Sequence, residues 1–292
     1  MQRQPLNGIY NVLKPSGMTS SDAVVKLRSF LQHKFDQKIT VGHLGTLDPG
    51  ASGVLAIGVG NGVKLFSTCN DNRKEYLAGF RFGITTDTLD SYGAIIQQGE
   101  QIDESKLEDA IQSMIGKQTQ IPPLYSANSI DGKRAYDLAR QGEEFTLVGK
   151  EIHIYDFQFK GKSVDGQYMF NIICSGGTYI RSIVRDLAEK LGTVGYMSFL
   201  LRTKSHGLTL DKSATLSEIE SDYHKGFIDV VEYLSKEPNY NFCEEQRFQL
   251  DNGVKLDIPL EEQKFVNILC NGLPYGWAEV REGKVKIIFR YQ

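Results

Sequence analysis

The stretch VGHLGTLDPGASGVLAIGVGNGVKL, Val41 to Leu65, sets one carboxylate, Asp48, among seven glycines and runs on into an apolar segment. The run GVLAIGVG reads as an apolar strand. Asp48-Pro49-Gly50 therefore sits at a loop-to-strand junction, and two readings compete for it. Asp-Pro-Gly is ordinary turn chemistry, with Pro presetting the backbone. Alternatively the loop is an active-site loop, in which small residues let a substrate approach both backbone and carboxylate. Composition leaves both open.

The chain has 292 residues, 40% hydrophobic and 24% charged, which suits a globular protein of one large and one small domain, or of two domains. No apolar run approaches the roughly 20 residues that span a bilayer. MQRQPLNGIYNVLKPSG lacks an apolar signal region, so a cytoplasmic location is expected. Four cysteines (69, 174, 243, 270) lie far apart without a C-x-x-C pair, and the five histidines form no ligand cluster. Neither a metal nor a cofactor is expected. The net charge of −3 argues against a non-specific nucleic-acid coat but not against a local basic cleft.

Along the chain, GIYNVLK reads as a strand and MTSSDAVVKLRSFLQ as an amphipathic helix capped by Thr19, Ser20 or Ser21. KEYLAGFRFGITTDTLDSYG reads as a strand leading into a polar loop. DESKLEDAIQSMIGKQTQ reads as one helix, and IPPLYSANSIDGKRAYDLARQGEE as a Pro-rich loop, a turn and a short helix. Two strands are expected around Asp165-Gly166, then a helix from the Gly-Gly turn to about Leu191 and a further strand. Strands and helices mix without βα alternation, which predicts an α+β fold with a mixed, largely antiparallel central sheet and flanking helices. A boundary is expected near residue 235. Beyond it, Asn-Gly turns at Asn252-Gly253 and Asn271-Gly272 suggest a small β domain.

GVGNG after the strand lacks the spacing of a dinucleotide fingerprint, the P-loop pattern is absent, and Gly50-Ala51-Ser52-Gly53 is not a nucleophile elbow. A nucleotide- or metal-dependent enzyme is thereby disfavoured. Asp48 remains as nucleophile or base. In GGTYIRSIVRDL, Tyr179 and Arg181 stand at a Gly-rich helix entry where an Arg fork can hold an anion, and Tyr76 in RKEYLAGF offers a stacking surface for a base. Taken singly, each is equally well a core or surface residue.

Taken in order, NVLKPSGMTSSDAVVKLR, VGHLGTLDPGASGVLAIGVGNGVKL, KEYLAGFRFGITTDTLD, PPLYSANSIDGKRAYDLARQG, CSGGTYIRSIVRDLAEKLG and LLRTKSHGL closely resemble the bacterial tRNA pseudouridine-55 synthases of the TruB family. The resemblance covers roughly residues 6 to 210, and its G-H-x-G-T-L-D-P block is highly specific. It implies a catalytic domain over 1–235, with an RNA-closing insertion at about 120–150, and a PUA-like RNA-binding domain over 236–292. Leu44 departs from the pattern, standing where the family usually has Thr.

The resemblance further implies that Asp48 is the catalytic residue in isomerising uridine 55 of the tRNA T-loop. Asp48 either attacks the anomeric carbon or abstracts a sugar proton; the sequence leaves both open. Arg181 would pair with Asp48, Tyr76 would stack on the flipped base, and His43 would help prise the target out of the loop. Tyr179 and Leu200 would line the pocket. Lys64, Asp90, Lys133, Arg134 and Arg140 would contact RNA, while Lys14 and Pro15 read more as architecture. The implied partner is the tRNA T-stem-loop, met by a monomer with no membrane involved. Rival readings are a same-fold enzyme acting on another uridine and a catalytically silent RNA binder.

Overall fold

The computed structural model of the chain describes residues 6–68, 72–126, 129–130, 133–134, 147–259 and 265–291. They fall into two compact units: 1–49, 53–72 and 206–292 form the first, and 50–52 and 73–205 the second. Among the described residues no helix is long and apolar enough to cross a membrane.

In the first unit the strand Gly8–Lys14 pairs antiparallel with Gly53–Val59 on one side and with Phe227–Asp229 on the other, and Val41–His43 pairs with the end of Ser52–Val59. Both faces of this sheet are covered, which accounts for the unbroken apolar run in GVLAIGV. On one face lie Tyr10, Val12, Leu55 and Ile57, packed against Ala23, Val24, Leu27 and Leu31 of the helix Ser20–Phe35. Of the three candidate caps Thr19 is the one that starts that helix, in a capping box: Asp22 N donates to the Thr19 hydroxyl at 3.0 Å, and Thr19 N donates back to the Asp22 carboxylate.

The other face buries Ile9, Val54 and Ala56 against Leu44, Leu65 and three aromatics from the C-terminal sheet, Phe265, Trp277 and Phe289. That small sheet runs Asn239–Phe242, Phe265–Cys270, Leu273–Arg281, Lys284–Arg290, parallel in its first pairing and antiparallel in the others. Asn271-Gly272 makes the expected hairpin turn. Asn252-Gly253 does not. It ends the helix Glu244–Asp251, with Gly253 N on Leu250 O and Val254 N on Gln249 O, because the same left-handed freedom that suits a hairpin also closes a helix.

The second unit is an antiparallel sheet in the order Gly195–Ser205, Lys74–Phe82, Tyr168–Cys174, Lys150–Lys162, Gly116–Gln120. The hairpin at Asp165-Gly166 and the helix Ile180–Lys190 stand as expected. Phe80, Phe157 and Phe170 cluster on the sheet, with Phe80 and Phe170 centroids 4.8 Å apart. The single helix expected from Asp103 to Gln120 is instead a 3-10 turn, Glu104–Lys106, a short helix, Leu107–Gln112, and an edge strand, Gly116–Gln120. Pairing of that strand with Lys150–Ile154 outweighs its local helical preference. The short helix expected at the end of IPPLYSANSIDGKRAYDLARQGEE lies outside the described residues.

At one end of this sheet Lys74 stands in register with Cys174 and Ser205. Desolvation, helped by the Arg202 charge, lowers the Lys74 pKa from 10.5 to about 8, and burial raises the Cys174 thiol to about 11. A depressed lysine pKa means that folding disfavours its charged form. The penalty is absent above 10.5, grows as pH falls to about 8 and is constant below, so this group makes stability rise with pH across that window. The shift corresponds to about 3 kcal/mol. Lys74→Met is therefore expected to raise the urea midpoint at pH 7.5 and to converge on the parent by pH 10.5. An offset independent of pH would contradict this.

Candidate active site

The Asp48 loop is held from both sides within the first unit. Leu44 N donates to Ala56 O at 2.8 Å, and the Leu44 side chain is buried in the apolar cluster with Ile9, Leu65 and Trp277. An aliphatic side chain suits that pocket, which gives the departure at Leu44 a packing reason. Leu47 N donates to Ser20 Oγ, and Ser20 Oγ donates to Leu47 O, both at 2.9 Å. Pro49 O accepts from Gly17 N at 2.9 Å and from Lys14 Nζ at 3.3 Å. The buried Lys14 ammonium also donates to Pro15 O at 2.8 Å and Met18 O at 2.6 Å, so its charge serves the scaffold.

The sequence marks Ser20 only as a possible helix cap, yet it clamps the residue before Asp48. Ser20→Ala leaves a buried N–H and C=O of Leu47 unpaired, a loss of about 2 kcal/mol. We expect a lower melting temperature together with a drop in kcat larger than any rise in KM. An unchanged kcat at temperatures well below melting would show that the clamp does not position the loop.

His43 ends the strand Val41–His43, half-buried and opposite Ile57. Lys64 lies in the 3-10 segment Gly60–Ser67 with its ammonium 5.8 Å from the Phe289 ring centroid.

The second unit carries the other candidates. Tyr76 is buried in the strand Lys74–Phe82, opposite Ile172 on one neighbour and the fully buried Arg202 on the other. Leu200, also buried, pairs with Ala78 two residues along. Tyr179 caps the helix Ile180–Lys190, and its backbone is gripped twice by Gln120: Tyr179 N donates to Oε1 at 2.8 Å and Nε2 donates to Tyr179 O at 3.1 Å. Arg181, in the first turn, donates to Thr88 O at 3.1 Å and Tyr125 O at 3.0 Å. Within this unit the carboxylate beside Arg181 is Asp90, at 3.9 Å. Asp90 Oδ1 in turn accepts from the Thr88 hydroxyl at 2.7 Å and from Tyr92 N at 3.0 Å.

Tyr76, Leu200, Tyr179, Arg181 and Asp90 thus share one unit, and His43, Asp48 and Lys64 the other. Lys133 and Arg134 form a two-residue strand paired with Ser129–Ile130, and Arg140 lies outside the described residues. Sequence reasoning missed Ser20 as a clamp and Gln120. Their partners are far away in the chain, and no local pattern marks them. Among the described residues no group of three or more His, Cys, Asp and Glu is placed to hold a metal ion.

Residues 32–180 match the family model described as TruB family pseudouridylate synthase, N terminal domain. A tRNA pseudouridine synthase B from Alkaliphilus oremlandii is 43% identical over 221 residues, covering 74% of this chain and 71% of that protein. One from Caldanaerobacter subterraneus is 36% identical over 250 residues, 85% of each. One from Clostridioides difficile is 40% identical over 246 residues, covering 80% of this chain and 79% of that protein. Among solved structures, a Cbf5-Nop10-Gar1 complex contains a chain that matches with a TM-score of 0.73 at 20% identity, covering 98% of this chain and 85% of that one. At that identity the likeness concerns the fold.

Proposed function

Since the chain belongs to the TruB family of pseudouridylate synthases, and is therefore an isomerase, we propose that its target is uridine 55 in the T-loop of tRNA, with Asp48 as the catalytic carboxylate. The supporting observation is the Asp48 loop itself. Its backbone is fixed at Leu44, Leu47 and Pro49 by groups from Ala56, Ser20, Gly17 and Lys14, so the carboxylate is carried on a frame set before substrate arrives.

The reaction breaks the N1–C1′ bond of uridine, turns the base and forms C5–C1′. The proton on C5 is lost and N1 gains one, so composition is unchanged. Asp48 acts on the ribose, either at the anomeric carbon or on a sugar proton. The target leaves its stack at a cost of a few kcal/mol. In this reading Tyr76 stacks on the extruded base and is placed for the C5 proton transfer, His43 fills the space vacated in the loop, and Tyr179 and Leu200 wall the detached base off from water. Lys64, Asp90, Lys133, Arg134 and Arg140 hold the stem-loop, and residues 236–292 hold tRNA away from the chemistry.

The test is tritium release from tRNA carrying uridine labelled at C5, followed by mapping of the modified position. Release confined to position 55 supports the proposal. Release mapped to another uridine moves the specificity, and bound tRNA without release removes the activity.

A further inference from the structure

Tyr92 is 71% exposed, yet its ring is seated. One side lies on Gly50, two residues beyond Asp48 in the chain: a Cβ at position 50 would stand 2.1 Å from Tyr92 Cε2 and 2.9 Å from Cζ. Glycine at 50 is thus what admits the ring. The loop beneath is braced at several points. Asp90 Oδ1 accepts from Tyr92 N, Thr86 Oγ1 donates to Asp90 O at 2.6 Å, and Asp87 Oδ1 accepts from Ala94 N at 2.9 Å. Met197 N donates to Leu89 O at 3.0 Å, and Arg181 donates to Thr88 O. Leu89 is held at a φ of 60°, a conformation that persists in a leucine only where its surroundings impose it. Ile95 and Ile96, 61% and 65% exposed, follow directly on the strand Ile95–Gln98.

A flat aromatic ring, backed on one side by peptide and open on the other, accepts a flat ligand of its own size. Extruding a uridine from an RNA loop leaves neighbouring bases without stacking partners, and any base has a π face for such a ring. We infer that Tyr92 is a stacking platform for one unpaired nucleotide flanking the target. This rests on the function proposed above. The sequence gives Tyr92 no role, and Gly50 only that of a small residue in the Asp48 loop.

The test uses the full chain and T-stem-loop RNAs carrying 2-aminopurine at one unpaired position each. With the parent protein, one such position is expected to be quenched on binding. Tyr92→Ala should abolish that quench and raise Kd and KM by about 5- to 150-fold, the range of a lost base–aromatic stack, with kcat within about twofold. Tyr92→Phe should restore both, and Tyr92→Leu should not. Gly50→Ala, by displacing the ring, should lose the same quench. Kd and KM within twofold in Tyr92→Ala would overturn the inference. So would a fall in kcat at constant KM, which would make Tyr92 a prop for the loop. If the parent releases no tritium but shows the Tyr92-dependent quench, the platform stands and the proposed reaction fails. If the parent binds no RNA, both fail.

Discussion

Asp48→Asn is expected to reduce tritium release from C5-labelled tRNA by at least about 10³-fold, with tRNA affinity changed less than threefold. The amide is nearly isosteric but is neither a useful nucleophile nor a base at neutral pH. Removing a catalytic group of either kind costs about 10²–10⁴-fold for acid–base work alone. The frame of the loop should survive, because its anchors at Leu44 N, Leu47 N and O, and Pro49 O are backbone groups that the substitution leaves in place. Single-turnover assays with saturating enzyme separate chemistry from binding. Residual activity within tenfold of the parent would remove Asp48 from the reaction, and a matched loss of melting temperature would mean that the side chain is structural.

Trp277→Ala should bring the largest loss of stability, about 3–5 kcal/mol. Trp277 is fully buried between the C-terminal sheet and the strands Gly8–Lys14 and Ser52–Val59, in one cluster with Ile9, Leu44, Val54, Leu65, Phe265 and Phe289. Its indole N–H donates to the Thr68 hydroxyl at 3.0 Å, a buried bond that the truncation also breaks. Trp277→Phe keeps most of the apolar burial and should lose roughly half as much. Urea melts of the three proteins measure this directly. A loss below 1 kcal/mol for the alanine variant would mean that the cluster closes over the void.

The parts of the fold legible in the sequence are those set by short-range chemistry. Thr19 stands among the candidate helix caps, Asp165-Gly166 announces a hairpin, and GVLAIGVG an apolar strand. What failed was local chemistry that admits two outcomes. Asn252-Gly253 suits a helix end as well as a hairpin, and the residues after Leu107 have helical preference until an edge strand claims Gly116–Gln120. In the candidate site, the motifs pointed to Asp48, Tyr76, Tyr179 and Arg181, but not to how each is held. The grip of Gln120 on Tyr179 spans 59 positions, and Arg181 meets carbonyls 93 and 56 positions away. No window of sequence contains such pairs.

The C-terminal aromatics that cover Leu44 bear on inheritance as well as on stability. Positions 44, 65, 277 and 289 are buried in a single cluster, and interiors of this kind are close-packed. A change of size at one of them is best tolerated alongside an opposite change at another. A tail whose aromatics differed in size would therefore fit less well over Leu44, beside His43 and four residues before Asp48. In lineages of this chain, the loop bearing the carboxylate and the distant aromatic end should drift as one character, with position 44 recording which tail it grew up against.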